Sequence, residues 1–196
     1  MDATFCHHNF ETHVIIDHSN IKHFQDMNFN ISWESMTKYL QAAHNATSAS
    51  YFYSLSQRGD QDGRNRIQGY TSFLRNALGF EIKEYDQASH HHNIKQEKRV
   101  DAGIVQRIVE CSYNFSCSGL ILFSGDGDFA ESLELAKRRL DKVLVYTGKN
   151  AISQELIQAV GKNNVKYLEN IECFVKRETI KEQYYNKIEK KLSQIK

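Results

Sequence analysis

The stretch that most constrains this chain is residues 119 to 129, Gly-Leu-Ile-Leu-Phe-Ser-Gly-Asp-Gly-Asp-Phe. Its apolar run, Leu120 to Phe123, stops at Ser124-Gly125-Asp126-Gly127-Asp128, and a helical pattern opens at Phe129. A short apolar run bounded by turn signals and followed by a helix reads as a buried strand. Such a strand delivers two carboxylates to its C-terminal end, where open α/β sheets place their sites. Two acids, two glycines and a serine in five positions are poor core material. They are good ligand material, because hard divalent cations prefer carboxylate oxygens and glycine lets backbone or phosphate come close.

The rest of the chain supplies partners for that strand. His13-Val14-Ile15-Ile16-Asp17 reads as a short buried strand ending in an acid, followed by the polar His18-Ser19-Asn20. Trp33, Met36, Leu40 and Ala43 fall at helical spacing within residues 31–44, and Ala49 to Leu55 is rich in strand formers. Gln57 to Asn65 reads as a loop. Ile67, Tyr70, Leu74, Ala77 and Leu78 mark a helix closed by Gly79, and Phe80 to Tyr85 alternates as a third strand. Periodicity lapses from Asp86 to Lys98, which holds His90-His91-His92 and reads as an exposed loop. Asp101 is then expected at the mouth of a helix with the stripe Ile104, Val105, Ile108 and Val109, a favourable place for an acid on dipole grounds. Beyond the opening stretch come a helix (Phe129, Leu133, Ala136, Leu140), a strand Val143 to Tyr146 ending at Thr147-Gly148-Lys149, a helix 152–160 and a strand Val165 to Leu168. This alternation predicts a mostly parallel sheet wrapped by helices on both faces.

A chain of 196 residues suits one domain plus a tail. Its 25 basic and 24 acidic residues nearly cancel, so no global field marks a polyanion partner and any basic patch must be local. Cys6, Cys111, Cys117 and Cys173 fall at no metal-like spacing, which predicts free thiols and a cytoplasmic setting. No apolar run reaches the roughly 20 residues needed to cross a bilayer. In the tail, Ile180, Tyr184, Ile188, Leu192 and Ile195 fall on one helical face, and residues 176–196 carry a net +4. That predicts an amphipathic basic helix, packed on the domain or joining two copies of it, with direct nucleic-acid contact as the other reading.

In a parallel sheet all strands end on one edge, so Asp17, Asp126 and Asp128 are expected to converge there, with Asp101 within reach. Carboxylates gathered at close range need protons or a divalent metal to neutralise them. Mg²⁺ or Mn²⁺ suits oxygen ligands and can activate water against a phosphate. Three segments resemble, in order and spacing, the signatures of the NYN domains, a branch of the PIN-like metal-dependent nucleases. They are Ile15-Ile16-Asp17-His18-Ser19-Asn20, Lys98-Arg99-Val100-Asp101 and Ser124-Gly125-Asp126-Gly127-Asp128-Phe129. The resemblance spans about residues 12 to 170, which divides the chain into a domain over 1–170 and a helical tail over 171–196. It implies a Rossmann-like α/β/α sandwich that hydrolyses RNA with Mg²⁺ or Mn²⁺ and leaves 5′-phosphates. Asp17, Asp101, Asp126 and Asp128 match its metal-binding and catalytic acids, and Asn20 matches the asparagine that orients the first acid, a water or a phosphate oxygen. His18 and Arg99 stand where the family usually or often has glycine.

Each residue also has a plainer reading. An acid at a strand end is often a helix cap, above all Asp128. Ser124 braces the turn, while Lys98 and Lys149 are either phosphate contacts or solvated surface lysines. Arg58, Arg64, Arg66 and Arg75 could position a phosphate backbone. The triplet His90 to His92 reads as exposed loop, and Cys6-His7-His8 lacks a zinc-spaced partner. Two rival functions remain in view: a regulatory RNA-binding module, and a receiver-like phospho-acceptor built on Asp17, Thr147 and Lys149.

Overall fold

The computed structural model describes residues 11–26, 29–55, 61–86, 94–171 and 175–177. Strand β1 (Glu11–Asp17) leads into α1 (His18–Asp26), β2 (Phe29–Ile31), α2 (Trp33–His44), β3 (Ala46–Leu55), α3 (Gln61–Leu78) and β4 (Glu81–Asp86). Then follow α4 (Ile94–Tyr113), β5 (Cys117–Phe123), α5 (Ala130–Arg139), β6 (Lys142–Thr147), α6 (Gln154–Val160), β7 (Val165–Tyr167) and β8 (Val175–Arg177). Six strands form one sheet in the order β4-β3-β1-β5-β6-β7, every pair parallel. The chain therefore builds outward from β1 on one side, then returns and builds outward from β5 on the other. The gap between those two strands is the switch point at which doubly wound sheets bind ligands.

The apolar runs are continuous because both faces of the sheet are covered. Val14 and Ile16 turn to one face, with Phe24 of α1, Trp33, Met36 and Leu40 of α2 and Leu74 of α3. Ile15 and Leu122 turn to the other, against Ile104 and Ile108 of α4, Leu133 of α5 and Leu156 of α6. Side chains alternate across a strand, so a run buried on both faces is mostly apolar, and the few polar residues in it need partners. The expected three-layer sandwich is present.

Several elements differ from the sequence reading. His18-Ser19-Asn20 opens a helix, α1, at once. Gln61 starts α3 inside the stretch read as a loop, helped by side-chain bonds one turn apart, Gln61 to Asn65 and Arg64 to Gln61. Helix α4 begins at Ile94, so Asp101 lies about two turns inside it, and its expected place at the helix mouth is not where the structure puts it. The residues upstream, Gln96-Glu97-Lys98-Arg99, are good helix formers with no breaker among them. Cys111 and Cys117 are joined as a disulfide with Cα atoms 5.7 Å apart, in place of the expected free thiols. The tight turn between α4 and β5, where the Asn114 amide bonds to the Cys111 carbonyl and the Cys117 amide to the Asn114 carbonyl, brings them together. Residues 175–177, expected within a helical tail, form a strand antiparallel to β2. The rest of the stripe-bearing tail, His90 to His92, Arg58 and the Cys6-His7-His8 segment lie outside the described residues. Among the described residues no helix is long and apolar enough to cross a membrane.

A polar chain pins the sheet at its other edge. The His13 imidazole lies between the Ser48 and Ser50 hydroxyls, at 2.6 Å from Nδ1 and 3.0 Å from Nε2. Ser50 donates to Glu81 at 2.9 Å, and Glu81 also pairs with Lys83 and Arg107. Since the Ser50 proton goes to Glu81, His13 donates from Nε2 and accepts at Nδ1. The chain thus crosses β1, β3 and β4, and fixes their register.

Burial holds His13 down to a pKa of about 4, reinforced by Arg107 and opposed by Glu81 and Glu110. A histidine neutral when folded and protonated when unfolded contributes stability that is whole above its ordinary pKa of 6.5. That contribution drains away as pH falls from 6.5 to about 4. The expected loss is on the order of 3 kcal/mol. Denaturant unfolding at about pH 7 and about pH 4.5 checks it: His13→Gln should show a flatter pH dependence than the parent chain.

Candidate active site

Strand β1 is paired on both sides, so its last residue, Asp17, lies at the middle of the sheet's carboxyl edge and is only 2% exposed. A buried carboxylate is tolerated when its oxygens are hydrogen-bonded. Oδ1 accepts from the Ser19 amide at 3.0 Å and the Ser19 hydroxyl at 2.7 Å. Oδ2 accepts from Asn20 Nδ2 at 3.2 Å and the Ser124 hydroxyl at 3.0 Å. Asp17 is therefore also the N-cap of α1, which explains why that helix starts without a loop. Four donors occupy the roughly four lone-pair sites of the carboxylate.

The turn after β5 is tied to the same group. Asn20 bridges the two strand ends, donating to Asp17 and accepting the Gly125 amide at 2.9 Å through Oδ1. Ser124 donates to Asp17 and accepts the Asp126 amide at 3.2 Å. Asp126 in turn caps the 3₁₀ turn Gly127–Phe129, its Oδ1 accepting the Asp128 amide at 3.0 Å. Its Oδ2 has no hydrogen-bond partner among the described residues, and Asp126 is partly exposed while Asp128 is exposed.

Behind this turn stands the loop from β6 to α6. The Ser153 amide donates to the Gly125 carbonyl at 2.9 Å, and a Cβ added at Gly125 would lie 1.7 Å from the Ala151 carbonyl oxygen and 2.8 Å from the Thr147 hydroxyl. Only glycine fits there. Lys149 is exposed on the same loop, and its amide donates to Glu169 at 2.8 Å.

The structure therefore joins Asp17, Asn20, Ser124 and Asp126 in one hydrogen-bonded unit, with Asp128 beside it on the outer turn. Asp101 lies inside α4 and is partly exposed, and Lys149 is exposed on the loop after β6, the strand beside β5. The Lys98 side chain lies outside the described residues. Among the described residues no three His, Cys, Asp or Glu side chains are close enough to hold a metal ion. The reason is visible in the geometry: Asp17 turns inward to its four donors while Asp128 faces water. The donors at this edge are nonetheless hard oxygens without sulfur, a set that fits Mg²⁺ or Mn²⁺ over softer metals.

The family model of the NYN domain matches residues 11–168, from the first residue of β1 to just past β7. The chain belongs to the NYN domain family. NYN domains are nuclease-like, and this assignment removes the receiver-like alternative. No curated protein matches the chain.

Two residues of this NYN domain site were not singled out by sequence reasoning. Ser19 gives Asp17 two of its four bonds, and an Asp-x-Ser step at a strand end is the capping signal that could have found it. Tyr51 is the other: its hydroxyl lies 2.7 Å from Nδ1 of His18, which the sequence marked only as a departure from the family's glycine. Burial, chiefly, lowers the His18 pKa, with Lys22 adding and Asp17 opposing. Burial likewise raises the Tyr51 phenol well above its ordinary 10.0.

Replacing Gly125 by alanine should cost about 3 kcal/mol, because the new methyl meets backbone that cannot turn aside. Thermal unfolding should show a fall in Tm of about 10 °C. Gly127→Ala makes the control. Its Cβ would approach only side chains, Ser153 Oγ at 3.1 Å and Glu155 Oε2 at 3.3 Å. These can swing away, and the loss should stay under about 1 kcal/mol.

Proposed function

We propose that this NYN domain is a metal-dependent ribonuclease that leaves a 5′-phosphate and a 3′-hydroxyl. The observation that carries the reading is the bonded unit Asp17, Asn20, Ser124 and Asp126, which places acids from two strands at the switch point of a nuclease-like fold. Mg²⁺ or Mn²⁺ held by Asp126 and Asp128, with Asp17 and Asp101, would polarise a phosphoryl oxygen and lower the pKa of a water. The protein's own part is positioning. Asn20 and Ser124 hold the Asp17 carboxylate and the Gly125 to Asp128 turn in one arrangement, and Asp17 would join a metal by exchanging one of its four donors for the ion. Asp126 Oδ2, without a hydrogen-bond partner among the described residues, is placed to accept a proton from a water at the edge. Water adds to phosphorus as the bond to the 3′ oxygen breaks, and the departing 3′ oxygen takes a proton from solvent to become the hydroxyl. Lys149, exposed on the neighbouring loop, supplies a cation for a flanking phosphate. A cytoplasmic setting belongs to this proposal on the nuclease reading alone, since the Cys111–Cys117 disulfide removes the free-thiol ground for it, and a second copy joined through the C-terminal tail is the partner the apolar stripe favours.

A second reading has its own observation. All four acceptor positions of Asp17 are taken by neutral donors, and among the described residues no three acids form a cage. A domain fixed in that state would bind RNA as a regulatory module and cut little or none.

Cleavage of end-labelled RNA separates the two. The nuclease reading expects turnover with Mg²⁺ or Mn²⁺, none in EDTA, and 5′-phosphate ends. Ser124→Ala, which removes a donor from Asp17, should slow cleavage by about 10–100-fold, and Asp126→Asn should slow it more. An inert parent chain that still retains RNA in EDTA would establish the binding module instead.

A further inference from the structure

His18 is the first residue of α1 and follows Asp17 directly. Its partner Tyr51 lies on β3 opposite Ile16 and is 1% exposed. A hydroxyl buried that deeply needs an acceptor for its proton. Of the two polar neighbours of the Tyr51 hydroxyl, Tyr70 interacts with it electrostatically but makes no bond within hydrogen-bond distance and angle, whereas His18 Nδ1 lies at 2.7 Å, so the Tyr51 proton is assigned to His18. An imidazole that accepts at Nδ1 carries its proton on Nε2. The Tyr51 and Tyr53 rings pack against the imidazole with centroids 5.7 and 6.3 Å away, which holds its orientation. Nε2 has no hydrogen-bond partner among the described residues and is not one of the buried, unsatisfied atoms, so this N–H faces water beside Asp17.

We propose that His18 is a phosphate-positioning residue, whose Nε2–H donates to a non-bridging phosphate oxygen of a nucleic-acid strand lying along the acidic edge. The proposal rests on reading that edge as a nucleic-acid site. The chemistry favours a phosphate because its oxygens only accept, and a charged acceptor strengthens the bond. It also favours an imidazole over a basic side chain. A lysine or arginine next to Asp17 would be drawn into an ion pair with it, whereas a ring fastened by Tyr51 keeps its donor aimed outward.

The test is fluorescence anisotropy in EDTA, with a short labelled oligouridylate and its deoxy counterpart. His18→Ala, measured well below its Tm, should weaken binding of both strands about tenfold, and His18→Gln, which returns an N–H donor at similar reach, should restore most of it. Nitrogen-15 NMR of the side chain should show the Nε2–H tautomer and a shift of Nε2 on adding the strand. Failure of the parent chain to bind either strand, equal binding by the parent chain and His18→Ala, a loss confined to the RNA strand, or an Nδ1–H tautomer would each overturn the assignment. Metal plays no part in this measurement. A protein that shows the His18 dependence and cuts nothing with Mg²⁺ or Mn²⁺ would sink the nuclease reading and leave the phosphate contact standing.

Discussion

A buried carboxylate with four neutral donors is the constraint on which this structure depends. Removing a carboxylate from water costs several kcal/mol unless its oxygens are satisfied. At Asp17 the compensation comes from two directions, Ser19 and Asn20 in α1 and Ser124 at the end of β5. The Ser124 contact forms only when β1 and β5 pair in parallel with Ile16 beside Phe123, and the Ser19 and Asn20 contacts only when α1 starts without a linker. The fold and the site are held by the same bonds. A substitution that frees one donor both loosens the edge and leaves a charge short of partners, so stability and activity cannot be adjusted separately there.

The acids at the edge divide into an inner and an outer set. Asp17 is sealed and shapes its surroundings, while Asp126 and Asp128 ride on a turn that presents them to solvent. That turn is short, yet it is backed by the Thr147 hydroxyl at the end of β6 and by the Ala151 carbonyl and Ser153 amide of the β6–α6 loop. Rigid backing of this kind lets exposed ligands hold position without being buried themselves.

Much of this was legible in the sequence. The apolar runs at Val14 to Ile16, Leu120 to Phe123 and Val143 to Tyr146 identified central strands because a strand covered on both faces has no polar side to blur the pattern. The acids and turn after Phe123 were legible for a similar reason, since glycine and aspartate interrupt such a run sharply. Helix α1 was not, because its first three residues are polar and only Ile21 and Phe24 are buried among its described side chains. The start of α4 was lost in the same way: upstream of Val100 no apolar stripe announces a helix, so Asp101 looked like a beginning when it is an interior residue. The saturation of Asp17 was out of reach on different grounds. Its bond to Ser124 spans 107 positions, and no local pattern encodes whether a carboxylate turns toward water or away from it.

The strand order also governs when the site can come into being. Strand β1 is the first made and lies at the centre of the sheet, with one flank closed by β3 and the other by β5. During synthesis from the N-terminus, β3 arrives early, but the second flank stays open until the chain has passed Phe123. An apolar edge left unpaired for that long is a place where a growing chain can recruit the wrong strand. Asp17 ends that edge with a carboxylate, a residue type that blunts an unpaired strand edge, at the position where Ser124 later closes the site.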